Sequence, residues 1–109
     1  MEYRHFGRTG LTVSALGFGC GATGGLLVKG ERREMVRTVS RAIEAGINYF
    51  DTARIYGDGT SEVNLGLVLE ELKPDIIVGT KVQLQRHPGI GRRRVERVRR
   101  TPSQCVPSC

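Results

Sequence analysis

The sequence predicts an α/β fold built on a parallel sheet, and three observations carry that prediction. Strand-like and helix-like segments alternate along the chain, which implies right-handed βαβ units. The run Ile76-Ile77-Val78 is apolar without alternation, as in a strand buried on both faces. Polar residues able to do chemistry fall at the C-terminal ends of the strands, the edge at which parallel α/β folds build their sites.

Each element has its own signal. Residues 3–6 and 11–16 flank Gly7-Arg8-Thr9-Gly10, a turn rich in residues that tolerate positive φ, and read as a β-hairpin. Residues 16–20 form a short strand that enters a glycine-rich loop, residues 21–30. Over residues 31–45 Met35, Val36, Val39, Ala42 and Ile43 recur at helical spacing, and Gly46 then suits a helix C-terminus. Residues 47–53 are β-prone, and residues 54–60 hold Gly57, Asp58 and Gly59 in a turn. Ser61 has the chemistry of an N-cap for a second helix, on which Leu65, Val68, Leu69 and Leu72 share one face before Pro74 ends it. Residues 76–82 form the third strand of the sheet.

Size and composition narrow the function. At 109 residues and 39% apolar content the chain holds one domain with a core. No run approaches the ~20 apolar residues of a membrane span, and the polar start Met1-Glu2-Tyr3-Arg4-His5 is unlike a secretory signal, so a cytoplasmic address is expected. Three cysteines, Cys20, Cys105 and Cys109, are an odd count with no zinc-ligand spacing. The net charge of +6 is lopsided: residues 92–109 carry six Arg and one Glu, which leaves residues 1–91 nearly neutral.

Three residues stand out chemically. Asp51 ends the second strand, Tyr56 follows it, and Lys81 ends the third strand. Neighbouring strands lie about 4.8 Å apart, so Asp51 and Lys81 can meet above the sheet edge. A free tyrosine, with a pKa near ~10, is a poor acid at neutral pH, and an adjacent ammonium favours its phenolate. Asp51 would hold Lys81 charged and oriented, and Tyr56 would protonate a carbonyl oxygen as its carbon receives a hydride. The same spacing equally describes a structural Asp–Lys pair beside a packed aromatic.

The segment Gly46-Ile-Asn-Tyr-Phe-Asp51-Thr-Ala-Arg-Ile-Tyr56-Gly-Asp-Gly-Thr-Ser61-Glu62 resembles the signature segment of the aldo-keto reductases. Tyr3-Arg4 through Gly7-Arg8-Thr9-Gly10-Leu11, Val13-Ser14 to Leu16-Gly17-Phe18-Gly19, Leu65-Gly66 and Gly79-Thr80-Lys81 continue the likeness in order, over residues 1–82. The wording around Cys20 to Gly30 is similar to the L-galactose and L-fucose dehydrogenase side of that family. The resemblance implies the N-terminal portion of a (β/α)8 TIM barrel plugged by an N-terminal β-hairpin. It also implies NAD(P)-dependent interconversion of carbonyls and alcohols on aldehyde, ketone or sugar substrates. It assigns Asp51, Tyr56 and Lys81 to three places of the catalytic tetrad, with Tyr56 as acid or base, and puts Cys20, Gly21 and Asp51 beside the cofactor, NADP or NAD. The Ser61-Glu62 pair lies near the cofactor region in the family, while Glu62 also suits the helix dipole.

The fourth tetrad place, a histidine ending the fourth strand, has no match: His5 lies in the hairpin, and His87 follows Lys81 by six residues. A TIM barrel needs ~250 residues and eight strands, against three barrel strands here, so most cofactor-binding loops are expected to be missing and the isolated chain inactive. Gly19-Cys-Gly21-Ala-Thr-Gly24 spells G-x-G-x-x-G, but Gly25 and Gly30 interrupt the helix start that the Rossmann mechanism needs. Cys20 reads as a small residue packed at a strand end, with a reactive thiol as the alternative.

Residues 83–109 read as an irregular Arg-rich tail. Nucleic-acid binding through its arginines is one alternative, without the aromatic residues that usually accompany it. Self-association through the open edge of strand 76–82 is another. The mixture of Arg, Pro, Ser and Cys is also what a GC-rich gene yields out of frame. A frameshift between about Gln83 and Arg92 predicts that another frame of the downstream DNA encodes a strand ending in histidine; an in-frame stop with no such strand in any frame overturns it.

Overall fold

The computed structural model describes residues 1–83 and 94–100. β1 (Tyr3–His5) and β2 (Thr12–Ser14) form an antiparallel hairpin. A second sheet has the order β3 (Phe18–Gly19), β4 (Tyr49–Asp51), β5 (Ile77–Gln83) and β6 (Arg94–Arg100). β3, β4 and β5 are parallel and β6 runs antiparallel to β5. Helices α2 (Arg32–Glu44) and α3 (Thr60–Leu72) make the crossovers between the parallel strands.

The core lies between the sheet and these two helices. Met35, Val39 and Ala42 of α2 and Leu65 and Val68 of α3 are buried with Phe50 and Ile76. Phe18 and Phe50, directly paired across β3 and β4, stack with ring centroids 5.1 Å apart. These are the helical faces that the spacing predicts. Within the expected loop 21–30 the chain makes one helical turn, α1 (Leu26–Lys29). Gly25, at φ 75°, starts it by offering its carbonyl to the Val28 and Lys29 amides, and Leu27 anchors it in the core.

The opposite face of the sheet is closed at its lower end by the hairpin. The Phe6 ring lies 5.9 Å from that of Tyr49. Tyr49 in turn lies across Gly17 and Gly79, and a Cβ at Gly79 would collide with the Tyr49 hydroxyl. Asn48 fastens the hairpin: its Nδ2 donates to the Thr12 carbonyl at 2.9 Å and its Oδ1 accepts from the Ser14 amide at 2.6 Å. The Asn48 amide completes the contact by donating to Ser14 Oγ at 3.1 Å.

β6 corrects the expectation of an irregular tail and of an open edge on β5. An edge strand needs no buried face. It is held by main-chain pairing with β5. His87, Cys105 and Cys109 lie outside the described residues.

Asn48→Ala leaves the Ser14 amide and the Thr12 carbonyl without their partner. It is expected to cost about 1–3 kcal/mol, read as a lower urea midpoint, with Asn48→Asp intermediate because it keeps only the acceptor.

Candidate active site

The C-terminal ends of β3, β4 and β5 bring the predicted residues together. Asp51 pairs in register with Gly19 on one side and Gly79 on the other. Lys81 lies two residues beyond Gly79 and therefore on the same face. Its Nζ donates to Asp51 Oδ1 at 3.0 Å, to Asp51 Oδ2 at 2.9 Å and to the Thr52 carbonyl at 3.1 Å. Three acceptors match the three protons of the ammonium, which fixes its orientation. The Lys81 side chain is 12% exposed, so this pair is shielded in a way that surface pairs are not.

Tyr56 completes the group. Lys81 Nζ lies 5.2 Å from the centre of its ring. The turn Tyr56–Gly59 that carries it has Gly57, Asp58 and Gly59 at φ 61°, 53° and 92°. Arg54 Nη1 holds Asp58 at 3.1 Å, and Thr60 Oγ1 donates to the Gly57 carbonyl at 2.7 Å. Glycine at 57 is required twice, by its positive φ and because a Cβ would lie 2.6 Å from Val28 Cγ1. The loop after β3 closes on the other side of the tyrosine: a Cβ at Gly21 would sit 3.8 Å from Cζ of its ring.

Ser61 has a different task from the helix cap that the sequence suggests. Gly59 precedes α3, and no side chain caps the helix. Fully buried, Ser61 donates to the Cys20 carbonyl at 2.7 Å and lies 2.9 Å from Thr52 Oγ1. Since its one proton goes to Cys20, the Thr52 hydroxyl is the donor of the second bond. This buried chain ties the ends of β3 and β4 to the start of α3, and nothing in the spacing of Cys20, Thr52 and Ser61 announces it. Glu62 accepts from Thr80 Oγ1 and so links the first turn of α3 to β5.

Cys20, expected beside the cofactor, is packed just past the end of β3. It is 1% exposed, its amide donates to the Asp51 carbonyl at 2.9 Å, and its own carbonyl is taken by Ser61. It holds the strand end, and the adjoining Gly21 is the half-buried residue beside Tyr56. Burial, with the charge of Asp51 adding to it and that of Lys81 opposing it, pushes the Cys20 thiol up to about 12. Cys20 is therefore a packed thiol rather than a nucleophile. The surface groove along α2 lined by Arg32, Arg33, Arg37, Arg41 and Glu71 carries no part of this site. Its Arg32–Glu71 and Arg41–Glu44 pairs are solvated.

For Lys81, burial works against the charged form, but the hydrogen bonds and charge of Asp51, with Tyr56 adding to them, outweigh it and raise Lys81 above its ordinary 10.5. A group whose folded value is raised contributes stability below its unfolded value and loses it as pH rises through the folded one. Cys20, raised from 9.0, and Lys81 act in the same direction. The urea midpoint is expected to fall between pH 9 and about 12, and less steeply in Cys20→Ala. A midpoint flat over that range overturns the assignment.

The aldo/keto reductase family model matches residues 15–106. Over 81 residues the chain is 42% identical to pyridoxal 4-dehydrogenase of Microbacterium luteolum, covering 74% of this chain and 24% of that protein. It is 43% identical over 84 residues to L-galactose dehydrogenase of Arabidopsis thaliana, covering 74% of this chain and 26% of that protein. The chain thus spans about a quarter of the length of these relatives. Among solved structures, the holo form of aldo-keto reductase AKR11C1 from Bacillus halodurans matches with a TM-score of 0.64 and 36% identity, over 83% of this chain and 28% of that one. The thermostable aldo-keto reductase Tm1743, in complex with the inhibitor epalrestat, matches with a TM-score of 0.54 and 36% identity, over 65% of this chain and 27% of that one. Among the described residues no helix is long and apolar enough to cross a membrane. A parallel βαβαβ core, a hairpin beneath it and a family match over most of the residues lead to one conclusion: the chain belongs to the aldo/keto reductase family and forms part of that family's barrel.

Proposed function

We propose that this chain carries the proton-transfer part of an NAD(P)-dependent oxidoreductase site that interconverts carbonyls and alcohols. The observation that carries the reading is the Lys81 ammonium, held by Asp51 through two hydrogen bonds and lying beside the Tyr56 ring at the open strand edge. Tyr56 is the proton donor in reduction and the acceptor in oxidation. Lys81 supplies the positive charge that favours the phenolate after transfer, and Asp51 keeps Lys81 charged and aimed.

The residues present suit the reactive end of a nicotinamide. Gly21 brings the loop after β3 against the Tyr56 ring without a side chain, and Asp51, whose side chain is 38% exposed, stays accessible beside Lys81. When bound, that cofactor, NADP or NAD, supplies or accepts the hydride. The names of the two curated relatives suggest a small hydroxylated aldehyde or sugar as substrate. Because the chain spans a quarter of their length, we expect the isolated chain to turn over little or nothing by itself.

Titration of the folded chain with NADPH and NADH, followed by fluorescence, tests the reading. Binding at micromolar concentration is expected to survive Tyr56→Phe, while any turnover falls by about 10²–10⁴ as the proton donor is lost. A folded chain that binds neither nucleotide, or a Tyr56→Phe variant with undiminished turnover, overturns it.

A further inference from the structure

The Lys81 ammonium has three acceptors, and two of them belong to one carboxylate. A carboxylate alone leaves an ammonium free to swing about the line through its two oxygens. The third acceptor, the Thr52 carbonyl at 3.1 Å, lies off that line and stops the swing. Every polar atom of Thr52 has a partner. Its amide donates to the Gly79 carbonyl at 2.8 Å, its carbonyl accepts from Lys81, and its hydroxyl donates to Ser61 Oγ at 2.9 Å. The first two partners lie on β5 and the third on α3. Threonine is stiff about χ1, so a hold on its hydroxyl is a hold on its peptide unit. Ser61 therefore anchors to α3 a residue whose other two hydrogen bonds both go to β5.

Ser61 has a second arm. It donates to the Cys20 carbonyl at 2.7 Å, and the Cys20 amide donates in turn to the Asp51 carbonyl at 2.9 Å. One hydroxyl thus reaches Thr52 directly and Asp51 through Cys20, the two residues that supply all three acceptors of Lys81. Ser61, Thr52 and Cys20 are all buried, so water offers none of these groups a replacement partner. We propose that Ser61 is a positioning residue for the Lys81 ammonium, holding Thr52 and Cys20 so that the three acceptors keep one geometry. Ser61 carries no charge and makes no bond to Lys81 itself; it acts through where it sets those acceptors. The functional weight of this role rests on the reductase reading, in which the ammonium must stay beside Tyr56, whose ring centre lies 5.2 Å away.

The test uses the full chain, ¹⁵N-labelled and without nucleotide, so its failure is separate from a failure of cofactor binding. Solvent exchange of the lysine ammonium protons is followed by NMR at mildly acid pH. The chain has three lysines; the exposed Lys29 and Lys73 serve as internal references, and Lys81→Arg identifies the third signal. Thr52→Val keeps the shape and the carbonyl but cuts one arm, and is expected to speed Lys81 exchange about tenfold with Lys29 and Lys73 unmoved. Ser61→Ala cuts both arms and is expected to match or exceed that change, whereas Thr52→Ser keeps the hydroxyl and stays near the parent. Asn48→Ala weakens the fold at the hairpin and is expected to leave Lys81 exchange unchanged, which separates positioning from a general loss of stability. Folded Thr52→Val and Ser61→Ala chains with Lys81 exchanging at the parent rate, or an equal acceleration in Asn48→Ala, overturn the proposal. Should neither Thr52→Val nor Ser61→Ala fold, the parent chain decides. Protected hydroxyl protons on Ser61 and Thr52, with Lys81 exchanging more slowly than Lys29 and Lys73, support the role; exchange of either set at the rate of exposed groups overturns it.

Discussion

Lys81 reaches Asp51 because β4 and β5 run parallel with Asp51 level with Gly79. Lys81 is two residues further on, and one strand spacing then separates the carboxylate from the stem of the lysine. Everything chemical in the molecule depends on that alignment. The hairpin closes the sheet below it, α2 and α3 hold the strands level from behind, and Tyr56 is delivered to the ammonium by a turn that starts five residues after Asp51. The alignment is also the least redundant part of the structure, since β4 has three residues and β3 has two.

Much of this was legible in the order of the residues. The apolar stripes of Met35, Val39 and Ala42 and of Leu65 and Val68 repeat at helical spacing, and those are the faces that are buried. The apolar start of β5 announced a strand covered on both sides. The Asp51–Lys81 ion pair was legible because it needs no more than the register that parallel pairing imposes, whereas a chemical role for it and for Tyr56 came from the family resemblance and not from the spacing.

What was not legible depends on contacts between residues far apart in the chain. Ser61 looks like a cap because caps are local, yet its hydroxyl reaches the Cys20 carbonyl, forty-one positions away. Asn48 reads as an ordinary polar residue before a strand, and its bonds to Thr12 and Ser14 appear only when the hairpin is folded beneath it. β6 is not legible for another reason. Periodicity detects strands through the side chains they bury, whereas β6 is defined by its main-chain pairing with β5.

Gly79 makes no side-chain contact of its own, and Tyr49 lies where a Cβ at that position would be. The tyrosine forms a floor under the site, and its height is set by how closely the ring settles onto the strand. A methyl group at 79 would displace that ring and also come into contact with the Asp51 carboxylate, 3.6 Å away. The depth available to any molecule resting above Asp51 and Lys81 is thus governed by an absence of atoms at a position level with Asp51 and two residues before Lys81.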